Sequence, residues 1–404
     1  MTEQQWDAVV VGAGPAGSAA AITLAQAGRR VVLLDRHAFP RDKPCGDLIG
    51  ARALAAARRL GVDDVELAPY PRLAGAYLTA AGGALDLTPT TRAGRVLLAR
   101  SDARVIPRLV FDAAMVRAAE RAGAKLRRLT VREVGGWDGS GRVVGGVSPE
   151  GHLRLRARAV IVAGGYGCRV AADVAPPERR EEDYPGSPIP VGEPSRGIAM
   201  RGYFRNVDAP AKRISFCLDD WVLPGYGWVF PLPGSGANVG VGTLTRGGAS
   251  EGEHLRSLYA RFTEDPASPA AAWLRGARAA GPARAWPLDL GPRRRRLTAD
   301  GLLVAGEAAA LVGPLTGAGI AFALETGARA GATLAAALTA GDAHAATLEP
   351  YAHATRRRAL PWLRAEHLAQ RWLSDPAHLR VLVQAVRPLP PTGVLGARLL
   401  LHLG

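Results

Sequence analysis

Ala8-Val9-Val10-Val11-Gly12-Ala13-Gly14-Pro15-Ala16-Gly17 is a short β-branched run entering a glycine loop, and it decides the fold. An alanine-rich segment follows to Ala27, then Gly28. A second apolar run, Val31-Val32-Leu33-Leu34, ends at Asp35. The order reads strand, glycine loop, helix, strand. In such a unit Gly12 permits the tight turn. Gly14 lets the backbone approach a pyrophosphate, and Gly17 lets the helix pack on the strand. The helix start at Pro15 and Ala16 directs free N–H groups at the phosphates. Asp35 stands 23 residues after Gly12, where a carboxylate accepts the ribose hydroxyls. The loop alone leaves open which dinucleotide is held.

Composition sets the outer bounds. The chain has 404 residues, 48% of them apolar and 22% charged, enough for one large or two interlocked globular domains. No repeat or glycine periodicity points to a solenoid or collagen. The net charge of +15 accompanies many arginines but no nucleic-acid reading motif, so no nucleic-acid partner is expected. The cysteines Cys45, Cys168 and Cys217 form no paired motif, and from the polar N-terminus no signal peptide is expected. Without a run of 18 apolar residues, a cytoplasmic protein is expected. Histidines show no metal spacing, and neither HExxH nor GxSxG occurs, so no metal site is expected.

Gly301-Leu302-Leu303-Val304-Ala305-Gly306-Glu307 reads as a buried strand running into a turn. Pro314, Gly317 and Gly319 follow, with a helix from about Ile320. These segments, with Phe39-Pro40-Arg41-Asp42-Lys43-Pro44-Cys45-Gly46, Arg108 to Asp112 and Tyr226 to Gly242, resemble the FAD-dependent geranylgeranyl reductase family. That family lies within the superfamily of aromatic-hydroxylase-like, group A flavin monooxygenase-like flavoenzymes. The resemblance implies an FAD cradle of Gly12, Gly14, Pro15, Ala16, Gly17, Asp35, Arg36, Lys43, Cys45, Gly46, Arg108, Val131, Gly306, Glu307, Gly317, Ala318, Gly319 and Ile320. It implies that Glu307, where Asp is usual, holds the ribityl chain. It also implies that the loop Pro314 to Gly319 offers backbone N–H groups to the flavin ring. Arg108 fits two readings: a contact to the cofactor's pyrophosphate or ribose, or an i, i+4 ion pair with Asp112 on a helix of about 106–122. Tyr166 stands where the superfamily has Asp in its Gly-Ala-Asp-Gly turn. That puts standard pyridine-nucleotide handling in doubt, so NAD(P)H or another external electron donor is expected.

The middle of the chain reads as strands, near 199–204, 214–218, 227–231 and 238–244. Alternation puts Tyr226, Trp228 and Phe230 on one face. That face is either an ordinary sheet core or an apolar wall beside the isoalloxazine. Gly240-Val241-Gly242 is expected to leave space for a ligand or the flavin edge. Tyr226, Trp228 and Cys45 are the candidate catalytic residues. The basic neighbours of Cys45, Arg41 and Lys43, are expected to favour its thiolate. The residue serves either as proton donor to a reacting alkene or as a shape residue. Cys168 and Cys217 read as structural. Leu232 replaces a Lys that the family often has after Phe-Pro.

The fold class expected is α/β: a Rossmann-type, glutathione-reductase-like FAD-binding domain, an inserted antiparallel β-sheet substrate domain and a helical C-terminus. The FAD domain is assigned to residues 1–75, 101–180 and 285–335, and the substrate domain to 76–100 and 181–284. The helical region is 336–404, with breaks at Pro361, Pro376 and Pro388. Its basic tail is either a cap over the substrate domain or a peripheral membrane contact. The four arginines from Arg293 to Arg296 read as a solvated turn. Ala310 and Ala318, where hydroxylases often have His and Gln, favour reduction of an isoprenoid-type C=C bond. The alternative is an FAD-dependent monooxygenase that hydroxylates or epoxidises a terpenoid or polycyclic metabolite. Either way the partner is a hydrophobic small molecule. Its identity and the oligomeric state stay open.

Overall fold

A computed structural model describes residues 5–80, 83–86, 88, 102–174, 196–245, 250–291 and 296–386. The run around Val9 and Val10 becomes the strand Gln5–Val11, flanked in parallel by Val31–Asp35 on one side and Gly151–Val162 on the other. Leu302–Val304 and Lys125–Arg128 extend the parallel sheet outward. These strands are fully buried around Val9, Leu33, Val160 and Leu303, which is why they read as unbroken apolar runs rather than alternating ones. An antiparallel meander, Thr130–Val134 and Arg142–Ser148, returns into Gly151–Val162.

The first helix, Pro15–Gln26, begins on a proline whose missing N–H costs a helix start nothing. It packs on the sheet through Gly17, where a Cβ would sit 1.7 Å from the Gly12 carbonyl oxygen. The helix Ile320–Ala340 crosses it just as closely, with a Cβ on Gly327 falling 2.0 Å from the Ala16 oxygen.

A second sheet runs in the order 278–279, 196–205, 236–245, 226–232, 213–218, 75–80, 83–86, with Arg284–Asp289 also paired to Arg196–Arg205. It is antiparallel except for one pair: Arg213–Leu218 runs parallel to Gly75–Ala80. The strand Arg284–Asp289 carries this sheet past the expected edge at residue 284. One face, Val229, Val239 and Val241, packs on the helix Glu251–Glu264 through Leu255, Leu258 and Phe262. The opposite face carries Tyr226, Trp228 and Phe230.

The C-terminal region is helical, Ala345–Leu373 and then Pro376–Val386. Pro361 does not break it; Pro350 and Pro361 both lie inside the longer helix. Buried Tyr351, Ala359 and Leu363 hold that helix on the core and offset the backbone bonds the prolines remove. Pro388, the leucines at 399–401 and residues 293–295 of the arginine run lie outside the described residues. Among the described residues, no helix is long and apolar enough to cross a membrane.

Candidate active site

A cavity of about 740 Å³ lies between the two sheets, lined from both. Its nucleotide side is built at the strand ends. Gly12 holds a φ of +98° there, and a Cβ on it would meet the Ala163 carbonyl at 2.5 Å, so this turn requires glycine. Gly14, Pro15, Ala16, Asp35, Arg36 and Val131 stand on the same wall. The buried Asp35 carboxylate accepts the Ala13 N–H at 3.0 Å and the His37 N–H at 2.9 Å, which ties the glycine loop to the second strand. Arg41 lies between two acids, 3.5 Å from Asp35 and 3.1 Å from Asp112.

Arg108 joins both readings made of it. Its guanidinium pairs with Asp112 in two bonds of 2.7 and 2.8 Å, and it also lines the cavity. The pair is buried rather than on a helix surface. Burial pulls the Arg108 pKa down, but the Asp112 carboxylate more than offsets it, so the cation is held charged.

Glu307 follows the strand Leu302–Val304 of the same sheet and receives the Lys43 ammonium at 2.7 Å through Oε2. Its Oε1 is buried with no hydrogen-bond partner. The turn bearing Tyr166 survives its loss of Asp: Gly165 and Gly167 keep positive φ and line the cavity. The loop Pro314 to Gly319 is clamped from two sides. Tyr226 OH donates to the Thr316 carbonyl at 2.7 Å. From the C-terminal helix, Glu366 Oε2 accepts the Leu315 and Thr316 N–H groups and the Thr316 hydroxyl, at 3.3, 3.1 and 2.9 Å. Gly317 and Ala318 donate to Gly313 and to Thr316 Oγ1. The N–H groups from Leu315 to Ala318 are therefore engaged within the protein, against the expectation that this loop offers them to the ring. At the end of the loop the helix that starts at Ile320 presents its first turn to the cavity.

Of the expected cradle, Lys43, Cys45, Gly46, Gly317, Gly319 and Ile320 reach the wall, but Gly17, Gly306 and Ala318 do not. Gly17 serves the helix–strand approach. Gly306 makes room for Ala16, since a Cβ there would lie 2.7 Å from the Ala16 side chain. Ala318 folds back on Thr316.

Tyr226 and Trp228 line the cavity from the second sheet, with ring centroids 5.9 Å apart; Phe230 continues the row 6.1 Å beyond Trp228. Gly240 leaves no room for a ligand. A Cβ there would meet the Trp228 ring at 2.3 Å, so the indole itself fills the space. Gly242 does reach the cavity. Cys45 is half-buried on the wall. Burial raises its thiol pKa above the ordinary value, and the nearby Arg108 and Lys43 only partly offset that. The expected thiolate is thus corrected to a thiol: desolvation outweighs the local positive charge. Cys217 is buried, and Cys168 fills the space beside Gly164.

Sequence reasoning missed a polar cluster that runs from Asp47, behind this wall, to Arg201 and Asp42 on it. Asp47 is fully buried and accepts from Tyr203 OH at 2.6 Å and Asn238 Nδ2 at 2.8 Å. Burial pushes its pKa up to about 6 against the lowering effect of those two donors. Arg201, also buried, grips Asp42 with Nη2 2.6 Å from both carboxylate oxygens. The available signal was Asn238, a lone polar residue in the apolar run Ala237 to Val241.

These residues fit FAD. The glycine loop and helix start suit a pyrophosphate, and arginines stand near it. The orphaned Oε1 of Glu307 is an acceptor suited to a hydroxylated chain. Comparison with known proteins agrees. The FAD binding domain family matches residues 5–192. A menaquinone reductase from Mycobacterium tuberculosis is 33% identical over 329 residues, covering 80% of this chain and 74% of that protein. Digeranylgeranylglycerophospholipid reductase 1 from Methanopyrus kandleri is 33% identical over 362 residues, covering 86% of this chain and 85% of that protein. Among solved structures, a geranylgeranyl bacteriochlorophyll reductase-like protein from Thermoplasma acidophilum superposes with a TM-score of 0.80. It is 22% identical and covers 98% of this chain and 96% of its own, a likeness of fold.

Proposed function

Because the chain belongs to the FAD-dependent geranylgeranyl reductase family and is an FAD-dependent oxidoreductase, we propose that it reduces a carbon–carbon double bond of a hydrophobic, isoprenoid-derived substrate. One observation carries this reading: the Cys45 thiol, its pKa raised by burial, stands on the cavity wall with the Arg108 guanidinium as a neighbour and the aromatic row of Tyr226 and Trp228 lining the same cavity. Gly12, Gly14, Pro15, Ala16 and Asp35 hold the dinucleotide, and Lys43 and Glu307 hold the chain that leads to the ring. FAD, when reduced by NAD(P)H or another external donor, supplies hydride. Cys45 Sγ–H gives its proton to the other alkene carbon. Arg108 and Lys43 then stabilise the thiolate left behind, since both lower the thiol pKa. Tyr226 and Trp228 exclude water and present an apolar surface to the prenyl chain. The relatives are named for menaquinone and for a digeranylgeranylglycerophospholipid, both isoprenoid lipids, which supports the same substrate class.

The test uses menaquinone with the FAD-loaded protein and a chemical reductant, followed by mass spectrometry in ¹⁸O-labelled oxygen and in its absence. A product that keeps two added hydrogens in its prenyl chain after air has reoxidised the ring to the quinone, formed anaerobically, supports reduction. Incorporation of ¹⁸O with no anaerobic product overturns it in favour of the monooxygenase reading. The exposed Leu368, Trp372, Val381 and Leu382, with Arg371 and Arg380 nearby in the chain, support peripheral contact with an anionic membrane. Equal liposome binding before and after replacing Trp372 and Val381 with Ser refutes that contact.

A further inference from the structure

Asp47 has no part in the chemistry proposed above, yet it is fully buried and holds a φ of +64°, a region few non-glycine residues enter. Three donors converge on its carboxylate. Tyr203 OH and Asn238 Nδ2 donate to Oδ2, at 2.6 and 2.8 Å, and the Arg108 N–H donates to Oδ1 at 3.2 Å. Asn238 is itself shared. Its Nδ2 also donates to the Cys45 carbonyl at 2.7 Å, and its Oδ1 accepts the Trp228 indole N–H at 2.9 Å. The bonds therefore run from the aromatic strand, through its neighbour in the sheet, to the loop that bears the thiol.

We infer that Asp47 is the positioning residue of this site: through Asn238, its carboxylate holds the Cys45 backbone and the Trp228 indole in one fixed register. The inference rests on the reading of Cys45 as the acid. A carboxylate is required because only it accepts from all three donors at once. An asparagine there sets its NH₂ either against the Arg108 N–H or against Tyr203 and Asn238. Asparagine also tolerates positive φ, so Asp47→Asn removes an acceptor and a charge without straining the backbone. The charged and titratable groups that act on this carboxylate, or that it acts on, are Tyr203 and Arg201 from the second sheet, Tyr70, and the neighbouring Cys45. Its negative charge adds to the burial that keeps the thiol protonated.

The experiment measures Cys45 alkylation by iodoacetamide in the FAD-loaded protein across pH, with Cys45 resolved by peptide mass mapping. Wild type, Asp47→Asn, Asn238→Ala and the double variant are compared. Loss of the Asp47 charge lowers the Cys45 midpoint by Coulomb interaction alone, so the readout of positioning is the plateau alkylation rate of the full thiolate at high pH, expected to rise severalfold as the register loosens. Asn238→Ala is expected to quicken alkylation too, and the double variant to be no faster than the faster single one. An unchanged plateau rate in Asp47→Asn overturns the inference, as do plateau effects that multiply in the double variant. Should Asp47→Asn fail to fold, Asn238→Ala with Tyr203→Phe, which removes the hydroxyl donor on Asp47 Oδ2, gives the same cycle through the carboxylate. Full turnover by Cys45→Ser would remove the acid role from this protein and leave the alkylation coupling standing, so the two failures are distinct.

Discussion

Replacing Glu366 tests whether the C-terminal helix shapes the cofactor site from outside it. Glu366 is buried on Ala345–Leu373 and contributes four accepted bonds: three on Oε2 from the loop at Leu315 and Thr316, and one on Oε1 from the Trp362 indole at 2.7 Å. A Cβ on Gly313 would lie 2.3 Å from Oε2, so the loop approaches the carboxylate closely. Hydrogen bonds to a charged acceptor are each worth about 1.5–3 kcal/mol, and three on one oxygen do not add. Glu366→Ala is therefore expected to destabilise the ordered loop by about 3–5 kcal/mol. Because FAD must meet that loop in its ordered form, the free energy of ordering subtracts from binding. Affinity should fall between about a hundredfold and about five thousandfold. Glu366→Gln keeps one carbonyl oxygen for the loop and turns its NH₂ toward the Trp362 donor, a loss of about 1 kcal/mol and under about tenfold. The assay is titration of the apoprotein with FAD, read by flavin fluorescence quenching. Wild-type affinity in Glu366→Ala, or equal losses in the Ala and Gln variants, would refute the reasoning.

Gly17→Ala should abolish FAD retention and lower thermal stability, since its Cβ falls 1.7 Å from a backbone oxygen that cannot move without opening the turn; yellow protein of normal melting temperature would contradict this. Cys45→Ser should keep its FAD and lower turnover about a hundredfold, in the range of lost general-acid catalysis; unchanged kcat removes the thiol from the mechanism. Asp47 predicts a pH dependence. Its folded pKa of about 6 lies above the ordinary 3.8, so between those values the folded chain binds the extra proton. The stability difference between wild type and Asp47→Asn should therefore fall by about 3 kcal/mol as pH rises from about 4 to 7. Urea unfolding at both ends of that range measures it, and a difference that rises or stays flat disproves the burial argument. Lys43→Met should weaken FAD retention, because it leaves Glu307 with a buried carboxylate and no cation; retention equal to wild type would exclude the pair from the cradle.

Local patterning determined the nucleotide-binding unit from sequence alone. Gly12, Gly14, Gly17 and Asp35 lie within one strand–loop–helix–strand stretch, so spacing by itself placed the tight turn at Gly12 and the close helix–strand approach at Gly17. The same holds for the aromatic row at Tyr226, Trp228 and Phe230, because a strand's period of two assigns its faces before any partner is known. The thiol's protonation was not legible. Lys43 stands two residues from Cys45, but the desolvation that outweighs its charge is a matter of burial, which the local sequence does not show. Pro361 looked like a helix break, and only packing on the core showed that the helix runs through it. Asp47 and Asn238 are 191 residues apart, Glu366 and Thr316 are 50 apart, and each pair meets because the second sheet and the last helix return to the cofactor domain. Sequence determines what is set by neighbours along the chain; burial and long-range hydrogen bonding depend on which surfaces meet, and only the tertiary structure decided those.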